Sequence, residues 1–443
     1  MSDEKARKKK KEKPEDNPRQ SKKKENASKK NNVVKVRKES HEKISKVGTV
    51  PAVASSETPD RAIFDPNERL DPREPPLHEQ QVKMLKTMVT NIMNDGITKL
   101  KEEYAALHKY KPPNVTKEAQ GVNKRLSRYK DVACWDQTRV RLIFPPDMPN
   151  DFIHANYVNH ELFVNRFICT QGPMEHTVVD FWRMVWQEHV TVIIMLCQCF
   201  ELKKPKCAQY WPTVVNTPKQ VHPFVITATN IDNSDPNVIA TDLHVQCGDI
   251  IRQVEHRHWI TWPDKTVPKN GAVAFRLLAH PRDYRFNPSV IHCSAGVGRT
   301  GTLLMIELII QHVLNVRPIS IPEVLKELRG QRSQLIQTED QYVFIHFAMV
   351  QYAVLTKVIT MGDCRHFLRS YDKYLKQCQE EVEAKLAAKK KKKATVKGTV
   401  RKRESKEKEE PGGAAGTQNN LVNAVGHDED DELSHVESPE HKP

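Results

Sequence analysis

A cysteine and an arginine stand six positions apart in residues 291–301, Ile-His-Cys-Ser-Ala-Gly-Val-Gly-Arg-Thr-Gly. The three glycines of this stretch permit a tight turn between an apolar run ending at Ile291 and an apolar, helix-like run over 302–314. A strand, a glycine-rich loop and a helix N-terminus point backbone N–H groups at one place, which favours a dianion such as phosphate. The same field stabilises the thiolate of Cys293, while the planar fork of Arg299 can bind two oxygens of the anion. The stretch therefore predicts a phosphate site with a built-in nucleophile.

The full string is much more specific than the cysteine–arginine spacing alone, because His292 and Thr300 flank the pair. The segment resembles the signature loop of the protein tyrosine phosphatases. The resemblance implies that Cys293 attacks phosphorus, that Arg299 holds the phosphate and that Thr300 donates to the Cys293 sulfur. We also expect a catalytic role for His292. The loop residues expected to bind the substrate are Ser294, Ala295, Gly296, Val297 and Gly298. The alternative is a buried cysteine before an ordinary glycine-rich turn.

A cysteinyl-phosphate mechanism also needs an acid for the leaving oxygen, on an element that can close over the substrate. Trp262-Pro263-Asp264 resembles the mobile acid loop of the family. The resemblance makes Asp264 the acid of the first step and the base of the second, with Trp262 in support. Thr266 stands where the family usually has glycine, so we expect a stiffer closing movement. The alternative is an ordinary Pro-Asp turn.

The second step needs a positioned water, and residues 337–341, Gln-Thr-Glu-Asp-Gln, resemble the family's glutamine loop. By this resemblance Gln341 orients the water and Gln337 assists. Gln334 stands where some members have glycine, and its longer side chain is expected to narrow any neighbouring second phosphotyrosine pocket. Two arginines of the family's upstream segment are also present, Arg329 and Arg332.

Residues 128–132, Arg-Tyr-Lys-Asp-Val, resemble the phosphotyrosine-recognition loop. Tyr129 would stack on the substrate ring, and Asp131 would accept hydrogen bonds from the substrate backbone. A slot with these walls is too deep for phosphoserine to reach Cys293, which predicts tyrosine specificity. The alternative for Tyr129 is a plain core tyrosine.

Two further segments extend the resemblance, which covers about 90–357 in the family's order. Glu201 and Lys206 fit the loop whose glutamate pairs with the signature arginine, so Glu201 would hold Arg299 ready for phosphate. His154 replaces the usual asparagine of the family's core motif at 151–157.

The elements that position these segments follow an α/β pattern, with short β-like runs and helical stretches interleaved. This pattern predicts a twisted mixed β-sheet flanked by helices on both sides, the protein tyrosine phosphatase fold. A first helical region over 78–107 is broken near Gly96. Later helices are predicted over 180–189, 271–286, 301–314, 321–330 and 338–356.

Composition divides the 443 residues into one large domain and two tails, because the ends have few large apolar residues to bury. Residues 1–50 contain 18 basic and 8 acidic residues, and they therefore carry most of the net charge of +14 of the whole chain. The basic tails suit nucleic acid, anionic membrane or acidic proteins, and the alternative is a merely solvating role. The predicted parts are a disordered basic tail (1–75), a catalytic domain (80–357), a C-terminal helix (358–388) and a disordered basic-then-acidic tail (389–443).

The sequence lacks the apolar core of a signal peptide and any apolar stretch of about 18 residues, so no transmembrane segment is expected. Its nine cysteines are an odd number in mostly apolar surroundings, which suits free thiols in a reducing compartment. We expect a cytoplasmic protein, with the nucleus as an alternative location, that is a monomer.

Together these features predict an active, non-receptor enzyme that removes phosphate from phosphotyrosine proteins without a metal or other cofactor. The competing hypothesis is a catalytically weak or inactive pseudophosphatase that binds phosphotyrosine as a scaffold. Such proteins usually lack the cysteine, the arginine or the loop aspartate. This sequence has all three, as Cys293, Arg299 and Asp264.

Overall fold

Nine strands form one mixed β-sheet in the computed structural model, which describes residues 69–71, 76–263 and 266–407. The order across the sheet is β1-β2-β3-β11-β4-β10-β9-β8-β7, and β5 and β6 form a separate hairpin. The strands are β1 (Arg139–Arg141), β2 (Phe152–Val158), β3 (Phe167–Thr170), β4 (Val192–Met195), β5 (Phe200–Glu201), β6 (Lys204–Pro205), β7 (Lys219–Val221), β8 (Phe224–Asp232), β9 (Val238–Cys247), β10 (Ile250–Trp259) and β11 (Ser289–His292).

The centre of the sheet is parallel and its edges are antiparallel. Strands β3, β11, β4 and β10 run parallel, whereas β1, β2, β9, β8 and β7 pair antiparallel with their neighbours. Every residue of β3, β4 and β11 is buried, as their unbroken apolar runs require. A strand buried at consecutive residues is covered on both faces. Strand β8 instead alternates between buried and more exposed residues over its first half.

Helices flank this sheet, and two of them form the centre of the helical layer. Helix α5 (Gly298–Leu314) follows β11 after the signature loop and is buried along nearly its whole length, which its apolar residues on all sides permit. Helix α7 packs against α5, and both α1 and α8 pack against α7. The helices are α1 (Glu79–His108), α2 (Glu118–Val122), α3 (Val178–Gln187), α4 (Ala272–Arg282), α5 (Gly298–Leu314), α6 (Ile321–Gln331), α7 (Glu339–Leu355) and α8 (Met361–Glu407).

The twisted mixed sheet with flanking helices confirms the predicted fold class. The predicted break in the first helical region is also present, because Gly96 inside α1 has φ 68° and ψ 178°. The end predicted for the C-terminal helix at residue 388 is wrong, since α8 continues to Glu407. Its lysine-, alanine- and arginine-rich sequence has high helix propensity and contains no proline before Pro411.

Most of the two predicted disordered tails lies outside the described residues, which include only 69–71 of the N-terminal tail and end at 407. Within the part of the chain that the structure describes, no helix has an apolar stretch long enough to cross a membrane.

Candidate active site

The predicted site segments meet at one edge of the sheet. The four parallel strands end at Thr170, Met195, Trp259 and His292, and the last three of these ends lead into segments singled out from the sequence. Open α/β sheets bind ligands at the carboxyl ends of their parallel strands. The signature loop follows β11, the second of these four strands in the sheet order, so the other segments surround it.

The signature loop turns tightly around the sulfur of Cys293, which is 5% exposed. The N–H of Gly296 donates to Cys293 Sγ over 3.2 Å. Gly296 has φ +70°, and a Cβ atom there would lie 2.0 Å from the carbonyl oxygen of Thr170. Only glycine fits this position. Helix α5 begins at Gly298, and the N–H groups of its first turn have no acceptors within the helix.

Arg299 is held against the loop by Glu201, as predicted from the sequence. The guanidinium donates to the two carboxylate oxygens of Glu201 over 2.6 and 3.1 Å, and to the Leu196 carbonyl over 2.8 Å. Glu201 lies in the β5–β6 hairpin, where it also accepts the Gln198 N–H. Burial alone would lower the pKa of Arg299, but the hydrogen bonds and charge of Glu201 raise it above the ordinary value. The arginine is therefore a permanent, oriented cation.

The back of the signature loop is bound by Arg332, whose role the sequence did not reveal. This fully buried guanidinium donates to the carbonyls of Ala295 and Gly296 over 3.0 and 3.2 Å. It also donates to Asn156 Oδ1 over 2.7 Å and to His154 Nδ1 over 3.1 Å. In a trans peptide the N–H points away from the carbonyl, so the N–H groups of these two peptides face the opposite side, where that of Gly296 donates to Cys293 Sγ.

His154, which replaces the family's asparagine, joins Arg332 to the predicted recognition loop. Its Nδ1 accepts from Arg332, so the proton is on Nε2, which donates to the Val132 carbonyl over 3.0 Å. Burial, followed by the charge of Arg332, lowers the pKa of His154 to about 3. The ring is therefore a neutral structural link.

His292 is fully buried, and both nitrogens of its ring are hydrogen-bonded to neighbouring protein groups. Its Nδ1 donates to the Cys293 carbonyl over 3.2 Å, and its Nε2 accepts from the Tyr210 hydroxyl over 2.8 Å. The Tyr210 oxygen in turn accepts from His256 Nε2 over 2.8 Å. Burial lowers the pKa of His292 to about 3, so this ring is also neutral. Its position corresponds to a positioning residue, in contrast to the catalytic role predicted for it.

The hydrogen bond predicted from Thr300 to the Cys293 sulfur is not formed. Thr300 Oγ1 is buried in the first turn of α5 and has no hydrogen-bond partner among the described residues. The sulfur instead receives the Gly296 N–H. Ala295 and Val297 complete the loop, and the Val297 carbonyl accepts from Ile336 N–H over 3.1 Å.

Tyr129 reaches the signature loop through its hydroxyl, which lies 2.8 Å from Ser294 Oγ. Ser294 Oγ donates to the Lys206 carbonyl over 3.1 Å, so the tyrosine hydroxyl is the donor in the first bond. Tyr129 is half-buried, whereas Asp131 is exposed. The Asp131 carbonyl accepts from Gln334 Nε2 over 2.7 Å, so the longer side chain does span this side of the site.

The acid loop follows β10 and is anchored by Trp262. This buried side chain packs against Trp259 and Phe344 and donates from Nε1 to the Thr266 carbonyl over 3.2 Å. The predicted acid, Asp264, lies outside the described residues, as does Lys265. The hydrogen bond between Trp262 and Thr266 thus joins the two ends of this segment.

The glutamine loop lies against the start of α5. Gln341 Oε1 accepts from the Gln337 N–H over 2.9 Å. A Cβ atom at Gly298 would lie 2.8 Å from Gln341 Nε2, so the amide of Gln341 is in contact with the end of the signature loop, where α5 begins. This contact places the predicted water-binding side chain beside the predicted nucleophile loop.

Comparison with known proteins agrees with this geometry. The family model described as "Protein-tyrosine phosphatase" matches residues 123–351, which is more than half of the chain. The chain belongs to the protein-tyrosine phosphatase family. This membership confirms the family predicted from the sequence.

Similar proteins include both receptor-type and non-receptor phosphatases. Tyrosine-protein phosphatase 69D of Drosophila melanogaster is 37% identical over 235 residues, covering 51% of this chain and 16% of the relative. Tyrosine-protein phosphatase non-receptor type 12 of Homo sapiens is 33% identical over 250 residues, covering 54% of this chain and 31% of the relative. The chain thus spans only a minor part of these relatives.

Solved structures give the same result. The catalytic domain of human protein tyrosine phosphatase non-receptor type 18 is 29% identical, with a TM-score of 0.54, and covers 61% of this chain and 99% of that one. A structure of PTPN18 in complex with HER2 phosphopeptides is 32% identical, with a TM-score of 0.50, over 53% of this chain and 91% of that one.

Proposed function

We propose that this chain hydrolyses phosphotyrosine in proteins through a cysteinyl-phosphate intermediate. The observation that carries the proposal is the combination of Cys293, whose Sγ accepts the Gly296 N–H, with an Arg299 guanidinium that Glu201 holds through two hydrogen bonds. Such a site stabilises the charge on a transferring phosphoryl group more than bulk water does, because its donors are already oriented.

The reaction has two displacement steps. In the first, Cys293 Sγ attacks phosphorus, the bond from phosphorus to the phenolic oxygen breaks, and Asp264 gives a proton to that oxygen. In the second, water attacks phosphorus, Asp264 accepts a proton from the water, and Sγ leaves as the thiolate. Gln341 and Gln337 orient the water, whereas Arg299 and the loop amides bind the phosphoryl oxygens. His292 and Arg332 hold the loop itself.

Substrate recognition rests on the loop at 128–132. Tyr129 forms a wall of the slot, Asp131 accepts substrate backbone N–H groups, and Gln334 bounds the neighbouring surface. The phosphopeptide complex of the similar PTPN18 supports phosphotyrosine proteins as the substrates.

The test measures hydrolysis of p-nitrophenyl phosphate and of paired phosphotyrosine and phosphoserine peptides. We expect the wild type to hydrolyse p-nitrophenyl phosphate and the phosphotyrosine peptide but not the phosphoserine peptide. Cys293→Ser should hydrolyse none of these substrates. Wild-type protein that retains phosphotyrosine peptide without releasing phosphate would instead support the pseudophosphatase hypothesis.

A second variant tests the acid. We expect Asp264→Ala to lower kcat by about 100-fold or more and to retain phosphotyrosine protein, because general acid catalysis of this kind contributes roughly 10²–10⁴. Unchanged turnover and unchanged peptide retention in Asp264→Ala would contradict the role assigned to this carboxyl.

The basic tails are proposed as contacts for nucleic acid, anionic membrane or acidic proteins, with the lysine-rich end of α8 among them. Binding of this electrostatic kind should weaken steeply as salt rises. The monomeric state and the cytoplasmic or nuclear location stay predictions.

A further inference from the structure

The glutamine loop leads directly into α7, whose first turn carries Gln341. Glu339 is the first residue of that helix, two positions before Gln341. Any contact that fixes the first turn of α7 therefore also fixes the backbone from which the Gln341 side chain projects.

Glu339 is held from two sides by side chains of other helices. Its Oε1 accepts from the Tyr374 hydroxyl of α8 over 3.1 Å and lies 3.3 Å from Lys101 Nζ of α1. The Lys101 ammonium lies over the Tyr374 ring, 5.6 Å from its centroid. The three side chains form one cluster, Lys101–Glu339–Tyr374, at the start of α7.

Helix α8 brings Tyr374 to this point through apolar packing on α7. The rings of Tyr371 and Phe347 stack with their centroids 4.0 Å apart and an interplanar angle of 6°. Tyr374 itself is 6% exposed, so its hydroxyl reaches Glu339 from a well-packed position.

Helix α1 makes a second contact with the same loop. The Tyr104 hydroxyl donates to the Ile336 carbonyl over 3.2 Å, immediately before Gln337. Ile336 has φ 58°, a left-handed backbone conformation that a β-branched residue adopts only when its surroundings impose it. Both ends of the glutamine loop are thus bound by side chains from the helices at the two ends of the fold.

These two helices lie outside residues 123–351, the segment that matches the family model. We propose that Tyr374 and Lys101, acting through Glu339, are positioning residues for the second half-reaction, so that α8 and α1 help set the rate at which the cysteinyl phosphate is hydrolysed. The inference rests on the proposed function, because it assigns Gln341 to the water.

The two half-reactions depend differently on this cluster. Phosphoryl transfer to Cys293 uses the signature loop, Arg299 and Asp264, whereas Glu339 lies in the first turn of α7, two positions before the proposed water-binding residue Gln341. Hydrolysis also needs a water in line with phosphorus, and a displacement of about 1 Å in a positioned group can cost roughly 100-fold in rate. A looser first turn of α7 therefore slows hydrolysis selectively.

The test compares Tyr374→Phe with the matched control Tyr371→Phe. Both changes remove one hydroxyl from a buried tyrosine of α8, but the Tyr371 hydroxyl has no hydrogen-bond partner among the described residues. Rapid-quench measurements on the full chain give the rate of phosphoenzyme formation and, after a chase, the rate of its decay. We expect Tyr374→Phe to slow decay roughly 3- to 10-fold with formation and kcat/KM unchanged. Tyr371→Phe should match the wild type.

A second pair of variants tests the acceptor. Glu339→Gln keeps an acceptor oxygen and should retain most of the decay rate, whereas Glu339→Ala should resemble Tyr374→Phe. Unchanged decay in Tyr374→Phe, or an equal loss of formation and decay, would overturn the proposal, as would the same effect in Tyr371→Phe. Absence of any phosphoenzyme or phosphate release in the wild type would instead overturn the proposed function, before the variants are compared.

Discussion

The signature loop and the glutamine loop lie in contact at the active site, yet they are held in different ways. The signature loop is bound from inside the family segment by buried groups, with Arg332 on its carbonyls and Glu201 on Arg299. The glutamine loop is bound at both ends by α1 and α8. The buried Tyr104 hydroxyl donates to the Ile336 carbonyl, whereas Tyr374 and Lys101 contact the partly exposed Glu339. The comparison indicates that phosphate binding is built into the core, whereas water positioning depends on flanking helices.

The largest effect is expected for Gly296→Ala, a substitution that disturbs the signature loop and not the glutamine loop. The new Cβ atom would meet the Thr170 carbonyl oxygen at 2.0 Å in a left-handed backbone conformation. Strain of this kind, added to a clash with a main chain that cannot move away, costs about 3 kcal/mol or more. We expect a lower urea midpoint and a loss of activity of at least about 100-fold.

Gly121→Ala is the control for this change, since nothing lies within 4 Å of a Cβ atom at that position. It should leave kcat unchanged and stability within about 1 kcal/mol of the wild type. Equal stability and activity of Gly296→Ala and the wild type would contradict the tight turn.

The next largest effects are expected at two buried arginines, Arg329 in α6 and Arg332 directly after this helix. Arg332→Met leaves the carbonyls of Ala295 and Gly296 without their donor, at a cost of about 3 kcal/mol. Since these peptides then lose their fixed orientation, kcat/KM should fall roughly 100-fold. Steady-state kinetics with a phosphotyrosine peptide measures the change.

Arg329→Met provides the contrast, because Arg329 donates to the carbonyls of Leu335 and Ile336, immediately before the glutamine loop. This variant should lower kcat more than kcat/KM. The same pattern in both variants would show that the two loops are not held separately.

A third, smaller effect follows from the two neutral histidines that support the signature loop. Burial lowers the pKa of His154 and of His292 to about 3, from an ordinary value of 6.5. As the pH falls below 6.5, the unfolded chain binds protons that the folded chain does not, so folding stability decreases until the pH approaches 3. Each histidine contributes about 1.4 kcal/mol per pH unit to this loss.

His154→Gln separates one histidine from the other, because glutamine can accept from Arg332 and donate to Val132 without titrating in this range. Urea unfolding between pH 6.5 and 4.5 should show a smaller slope for this variant, by about one proton's contribution. Parallel curves for the variant and the wild type would mean that His154 is not neutral in the fold.

The smallest effect is expected at Gln334, between the recognition loop and the glutamine loop. Its φ of 58° favours glycine, but its Nε2 donates to the Asp131 carbonyl over 2.7 Å. In Gln334→Gly the relief of strain and the lost hydrogen bond oppose each other, so stability should change by less than about 1 kcal/mol. KM for a phosphotyrosine peptide should rise a few-fold with kcat unchanged, and a large fall in kcat would contradict this assignment.

The sequence predicted the elements whose signals are local. Cys293, three glycines and Arg299 are contiguous, and the apolar runs before and after them predict a strand and a helix without reference to the rest of the chain. Glu201 was assigned by resemblance, and the pairing with Arg299 is confirmed in the structure. The fold class followed from the alternation of strands and helices in the same way.

What escaped prediction depends on contacts between distant residues. Arg332 binds carbonyls that lie 36 and 37 positions earlier, and Tyr374 reaches Glu339 from a different helix. No local pattern distinguishes such an arginine or tyrosine from an exposed one. The hydrogen bond expected of Thr300 failed for a related reason, since the direction of a hydroxyl depends on the packing of α5.

The charge of Arg332 makes the stability of the fold depend on bound anions. Glu201 neutralises Arg299, but the groups that Arg332 contacts are carbonyls, an amide oxygen and a neutral ring. The charge of Arg332 therefore adds positive potential behind the signature loop, which a bound dianion would offset. A dianion that binds the folded chain but not the unfolded one adds stability according to its concentration, by about 2.7 kcal/mol at 100 times its Kd. Inorganic phosphate should accordingly raise the melting temperature of the wild type, and much less that of Arg299→Ala.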